Sequence, residues 1–434
     1  MARQLYGLAW PAFAESALQA LLGVVSMALV GQLGTEAVAS VGLANQIYFV
    51  TVTVMMGWSI GTTALVARQV GAGQKQTAAT VAMQSTVIGG ALSLVMLAGA
   101  YPSAHLALVA AGATPTVAAV GEPFLRILSL SIPGMALMLV CGAALRGSGD
   151  TRSPMYVTAI ANGINIVLAY ALVLGNLGAP ALGVAGAGLA IVIARGIGAI
   201  LLLTIAARRF GVRLDALRDA TLAWRVARIG GPAAAEQLAV QMGFLAFNLI
   251  AIRIGTAEFA AMQIAFNAAQ VSQLAGQAFA TAATTLVGQR LGAGRPDQAR
   301  TAGWLSTGMA VVWMTLMGLV FIAFGDQIFR LYGADDLVRE RGRLALLVMG
   351  IGQAPQAVSF VLSGALRGAG DTRTTLVGGL IGTVGLRAGV AYGLGIVAGV
   401  GYPAIWLAWL ADWLTRSVIF AYRFRSGRWQ KVRV

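Results

Sequence analysis

ALRGSGDTR, residues 144–152, returns as ALRGAGDTR at residues 365–373. The same separation of 221 positions carries Pro11 onto Pro232, Glu15 onto Glu236, Gly34-Thr35 onto Gly255-Thr256, Gly71-Ala72-Gly73 onto Gly292-Ala293-Gly294 and Arg195 onto Arg416. Matches in one register over more than 180 residues mean that one helical unit occurs twice in the chain.

Composition says what solvent that unit folds in. Of 434 residues, 58% are hydrophobic and 10% charged, with a mean hydropathy of +0.79. A soluble domain of this size needs far more polar surface, so most of the surface meets lipid. The net charge of +15 does not point to nucleic acid, because the basic residues sit in short loops without interleaved aromatics. One cysteine, Cys141, allows no internal disulfide, and one histidine, His105, leaves little for a metal site. Intramembrane enzyme chemistry would need an HExxH pair or clustered aspartates, so neither catalytic residues nor a cofactor are expected. Glu15 and Gln19 interrupt the first apolar run, which argues against a cleavable signal peptide.

Apolar stretches of about 20 residues, the length that spans a bilayer as helix, can be placed twelve times. They fall near 8–32, 39–65, 79–101, 120–143, 153–175 and 181–207, then near 226–253, 260–286, 301–324, 342–364, 374–396 and 402–424. The expected fold is therefore all-α and polytopic: two six-helix lobes, 1–207 and 226–434, joined by a basic cytoplasmic linker at 208–225. Arg68, Lys75, Arg146, Arg152, Arg290, Arg295, Arg367 and Arg373 fall on one side of the membrane, whereas the loops near 33–37, 176–181 and 397–401 carry no basic residue. The positive-inside rule then puts both termini in the cytoplasm of a cell whose plasma membrane, the inner one in a bacterium, holds the protein. Six spans per copy is an even number, so the copies should be parallel repeats about an axis along the membrane normal, a known transporter plan.

A charge at the bilayer centre costs roughly 2.5–3.5 kcal/mol or more, so each intramembrane acid needs a reason. Glu15 and Glu236, each four residues after its helix-opening proline, are the candidate ion-coupling groups. Arg195 and Arg416 share their symmetry and are expected as structural partners; Asp412, four residues before Arg416, is expected as a local pair partner. Amides and a hydroxyl form stripes: Gln19 and Ser26 on span 1, Asn45 on span 2, Gln237, Gln241 and Asn248 on span 7, and Gln263, Asn267 and Gln270 on span 8. Amides facing lipid would be unsatisfied, so these stripes should line a wet substrate cavity or a helix interface.

LAWPAFAESALQALLGVVSMALVGQLGTEAVASVGLANQI, its partner GGPAAAEQLAVQMGFLAFNLIAIRIGTAEFAAMQIAFNAAQ, the GAG turns and the doubled ALRG(S/A)GDTR together resemble the multidrug and toxic compound extrusion (MATE) family. The resemblance implies two six-helix lobes in a V around a central cavity. It also implies export of amphipathic, often cationic, small molecules against an inward flux of H⁺ or Na⁺, by a protein expected to be a monomer in lipid with no nucleic-acid partner. Where relatives carry an intramembrane Asp, this chain has Ser26, Ala169 and Gln356; their helix-5 Asn is kept as Asn165, and their helix-7 Glu falls on Val240. Asn165 and Gln356 join the cavity candidates on that ground. The alternative reading is a flippase of the same superfamily moving a lipid-linked precursor, since an amide-rich lining with few acids suits a sugar- or phosphate-bearing substrate.

Overall fold

The computed structural model describes residues 1–211 and 220–432, so 212–219, within the linker expected at 208–225, lie outside the described residues. Every long element is helical. The first half holds α1 (Ala2–Gly31), α2 (Thr35–Gly71), α3 (Lys75–Ala100), α4 (Ala104–Ala110), α5 (Pro115–Ser129), α6 (Ile132–Gly147), α7 (Arg152–Leu174) and α8 (Val184–Phe210). The second holds α9 (Ala220–Ile254), α10 (Thr256–Gly292), α11 (Pro296–Ala323), α12 (Gly325–Leu331), α13 (Asp336–Gly368), α14 (Thr372–Val397) and α15 (Tyr402–Arg425).

The repeat seen in the sequence is a repeat of helix ends. Helices α2 and α10 are both 37 residues long and start 221 positions apart, as do α4 and α12. The reason is local chemistry at equivalent turns. Thr114 accepts a hydrogen bond from Val117 N at the start of α5, and Asp335 accepts one from Val338 N at the start of α13, so both helices begin on a side-chain cap. The turns before them use Gly112 and Gly333, with φ of 86° and 66°, a left-handed backbone that glycine adopts without strain.

Among the described residues ten helices are long and apolar enough to cross a bilayer, and α5 with α6, bent by 44°, makes an eleventh. The remaining expected span is α10. It has the length, but Gln263, Asn267, Gln270, Gln273 and Gln277 lower its apolarity. The two halves also differ at the bend: α5 stops at Ser129 and α6 restarts at Ile132, while α13 runs unbroken through the equivalent positions. In α14 the backbone widens into π-helix at Leu380–Ala388 and Gly393–Val397, a geometry that often marks functional positions.

Contacts divide the chain into two compact units, Ala14–Gly230 in one and Met1–Phe13 with Gly231–Val434 in the other. In the second unit Leu5, Leu8 and Ala9 of α1 pack with Ala282, Leu286 and Ala302, and Arg290 donates to Gln4 at 3.0 Å. In the first, the opening of α9 lies against α2, where a Cβ on Gly61 would strike the Val226 carbonyl and one on Gly230 the Gly57 carbonyl. Each unit has its own core: Tyr48, Phe124, Leu125 and Ile132 in the first, Phe247, Phe329, Trp406 and Trp409 in the second. Lipid tails compete for apolar surface, so close packing through small residues carries much of this cohesion.

The duplicated motif supplies one such close contact in each half. Gly147 lies 2.8 Å (from an added Cβ) from the Thr63 carbonyl, and Gly368 meets the equivalent Thr284 carbonyl on α10. Thr63 Oγ1 donates to Ala143 O at 3.2 Å, and Thr284 Oγ1 to Gly364 O at 2.8 Å. The first glycine of ALRG thus lets the end of α6 press on α2 and the end of α13 on α10, which fixes the arginine beside it.

Candidate functional site

That arginine is the partner of the intramembrane glutamate in both halves. Arg146 Nη1 donates to Glu15 Oε1 at 3.1 Å and Oε2 at 3.3 Å. Arg367 Nη2 donates to Glu236 Oε1 at 2.7 Å, and the Thr375 hydroxyl lies 2.7 Å from Oε2. Glu15 and Glu236 belong to the register that relates Arg146 to Arg367, so one pair has been duplicated. The second copy is tighter. The Glu236 side chain is 5% exposed against 13% for Glu15, and Thr375 has proline, Pro154, at its first-half counterpart. Charge-assisted contacts of this kind are about twice as strong as neutral ones.

The expectation that Arg195 and Arg416 would pair with Glu15 and Glu236 is corrected. Arg195 Nη1 donates to Tyr48 Oη at 2.6 Å and Ser131 Oγ at 2.9 Å, and its guanidinium lies 5.0 Å from the Tyr48 ring centre. Arg416 reaches Asp412 through Nε to Oδ1 at 2.5 Å and Nη2 to Oδ2 at 2.9 Å, a fork matched to a carboxylate. Arg387 adds a second cation, its Nη2 at 2.6 Å from Asp412 Oδ2. Side chains four residues apart on one helix meet, whereas the choice between Arg195 and Arg146 for Glu15 depends on packing between helices. The register that the motif arginines share with the glutamates, 221 positions in both cases, is the sequence signal that finds them.

The motif's aspartates serve the next turn. Asp150 Oδ1 accepts from Arg152 N at 3.1 Å and Ser153 N at 3.0 Å. Asp371 accepts from Thr374 Oγ1 at 2.8 Å and from Arg423 Nε at 2.6 Å.

A family model described as MatE matches residues 11–171 and again 232–393, one match per half of the repeat. The chain belongs to the MatE family. Among its relatives, the "Multidrug resistance protein NorM" of Burkholderia vietnamiensis is 32% identical, over 94% of this chain and 90% of that one. The "Probable multidrug resistance protein NorM" of Thermotoga maritima is 28% identical over 99% of this chain and 93% of its own. A solved structure titled "Outward-facing conformation of a multidrug resistance MATE family transporter of the MOP superfamily" superposes with a TM-score of 0.91 at 20% identity, covering 98% of this chain and 96% of that one. As a MatE protein the chain is a multi-span membrane transporter.

Within the MatE fold the amide candidates separate by exposure. Gln19, Asn45, Asn267 and Gln270 are exposed, while Ser26, Gln237, Gln241, Asn248 and Gln263 are half-buried. Asn267 Nδ2 donates to Gln263 O at 2.9 Å along its own helix. Gln356 is buried in a chain of polar groups: Ser272 Oγ donates to Gln353 Oε1 at 2.6 Å, and Gln353 Nε2 to Gln356 Oε1 at 3.4 Å. Asn165 is 2% exposed, with no partner for Oδ1. Gln356 thus has a side-chain partner for Oε1, and Ala169 is buried.

Proposed function

We propose that this MatE protein is a secondary antiporter that exports amphipathic, cationic small molecules in exchange for H⁺ or Na⁺, with Glu15 and Glu236 as the coupling carboxylates. The observation that carries the proposal is the duplicated carboxylate–guanidinium pair, Glu15–Arg146 and Glu236–Arg367. An ion that occupies the carboxylate takes away the arginine's counter-charge, so ion loading and the contact that ties α1 to α6, or α9 to α13, compete for one group. That competition gives the ion a different affinity for two conformations, which is what alternating access requires. A differential of about 5.5 kcal/mol moves a two-state population from 1:99 to 99:1. The halves 1–207 and 226–434 act as the lobes, the linker at 208–225 joins them, and both termini lie in the cytoplasm.

Exposed amides at Gln19, Asn45, Asn267 and Gln270 support a wet substrate path, because such groups are costly against lipid. The protein works as a monomer and needs no cofactor beyond its coupling ion. The multidrug resistance names of its NorM relatives support efflux of drug-like molecules. The flippase alternative draws on Arg195, which meets hydroxyls, Tyr48 and Ser131, rather than a carboxylate among its described hydrogen bonds.

Proteoliposomes loaded with a fluorescent cation test the proposal. Under an imposed proton or Na⁺ gradient the wild-type chain should drive export, and dissipating the gradient should abolish it. Export indifferent to both gradients overturns antiport.

A further inference from the structure

The second unit holds a buried cluster of two guanidiniums and one carboxylate, Arg387, Arg416 and Asp412. Asp412 is fully buried and Arg416 engages both of its oxygens. Arg387, only 4% exposed, makes a salt bridge to the same carboxylate, Nη2 to Oδ2 at 2.6 Å, and its Nε has no hydrogen-bond partner among the described residues. Two guanidiniums therefore share one carboxylate in the interior of a membrane protein, where an uncompensated charge is costly.

What lacks a partner beside Arg387 says which sign of ligand would fit. Arg387 Nε and Trp413 Nε1 are donors, and the Thr383 hydroxyl, one turn before Arg387, can donate. A cation would need acceptors. The Arg387 guanidinium lies 5.5 Å from the Trp413 ring centre and 5.7 Å from that of Phe247, so the surplus charge has aromatic walls and little water to screen it. Arg387 also sits on the π-helical stretch Leu380–Ala388. The approach of this stretch to its neighbours depends on small residues: a Cβ on Gly382 would strike Asp412, and one on Gly243 would lie 2.7 Å from Thr383 Cγ2.

The repeat shows that the fold does not require this arrangement. The positions equivalent to Arg387 and Asp412 in the first half are Ile166 and Ile191, and only Arg416 has an arginine counterpart, Arg195.

We infer that the second half binds an anion at Arg387, with Trp413 Nε1 and the Thr383 hydroxyl as further donors. The ligand is either a free halide or the acidic group of a transported molecule; both offer compact negative charge to the same donors. This inference concerns equilibrium binding and stands apart from the antiport reading, which needs Glu15 and Glu236 and not Arg387.

Purified full-length protein in detergent tests it by thermal unfolding and tryptophan fluorescence. Gluconate is replaced at constant ionic strength by chloride or bromide in one arm and by acetate or inorganic phosphate in another. Wild-type protein should show a saturable rise in Tm with at least one anion, and iodide should quench a tryptophan fraction in competition with it. A halide response identifies a free-ion site; a response to acetate or phosphate alone identifies the acidic group of a substrate. Arg387→Gln should abolish the shift, and in gluconate it should melt no lower than wild type, because it removes the surplus charge. Arg387→Lys keeps the charge but not the fork and should bind about 10-fold more weakly, the equivalent of about 1.4 kcal/mol. Arg387→Lys also provides the readout if the glutamine variant does not fold. Absence of any anion response in wild type, or a response that survives in both variants, overturns the inference.

Discussion

The two halves of the repeat keep one charge arrangement and diverge in another. Near the ends of α6 and α13 both hold a glutamate on a motif arginine, set by a glycine that presses on a threonine carbonyl of the neighbouring helix. Deeper in, the first half satisfies Arg195 with the hydroxyls of Tyr48 and Ser131, while the second builds Arg387, Asp412 and Arg416 into one cluster against Trp413. An outer pair has even exchanged its acidic and basic members: His105 with Glu122 in the first half corresponds to Asp326 with Arg343 in the second. Duplication preserved the contacts on which helix ends depend and left the interior free to specialise.

The sharpest way to break this comparison is Asp412→Asn. It leaves two buried guanidiniums without their counter-charge and should cost about 3–5 kcal/mol, the usual penalty for breaking a buried ion pair from one side. Arg195→Gln, which removes hydrogen bonds to neutral hydroxyls, should cost about 1.5–3 kcal/mol. Denaturant or thermal unfolding of both variants checks the order; equal losses would mean that the clusters are energetically alike. The shared contact is probed next. Gly147→Ala and Gly368→Ala both push a methyl into a backbone carbonyl and should each destabilise by about 1–3 kcal/mol, by similar amounts in the two halves. Thr375→Val separates the two glutamate sites: it removes a hydroxyl that only Glu236 has and should cost about 1 kcal/mol, with no counterpart effect at Pro154.

The smallest effect lies at the outer pair. Hydrogen bonding to Arg339, with attraction from Arg339, Arg330 and Arg343, holds the Asp326 carboxyl below its ordinary value. A depressed folded-state value means that its contribution is complete above the unfolded-state value and is lost as pH falls through the folded one. Asp326→Asn should therefore flatten the acid limb of the stability–pH curve slightly, while wild-type and variant curves converge in strong acid.

The sequence made the duplication legible because helix ends are set by local chemistry. Thr114 and Asp335 cap, Gly112 and Gly333 turn, and the hydropathy between them marks the spans. It also made the Asp412–Arg416 pair legible, since four residues on one helix suffice. Glu15 and Glu236 stood out by symmetry and cost, but their partners did not: Arg146 lies 131 residues from Glu15, and symmetry alone fits Arg195 equally well. Packing of α1 against α6 made that choice. The surplus charge at Arg387 emerges only once α14 and α15 are seen to share Asp412.

The most direct test of the account measures the ion released when substrate binds. In weakly buffered detergent solution, addition of a transported cation to wild-type protein should displace protons, read by a pH indicator, or bound ²²Na⁺. The Glu15→Gln/Glu236→Gln double variant, folded by its melting curve, should bind the cation and release neither. Undiminished ion release from the double variant would contradict the assignment of the two glutamates as the coupling groups.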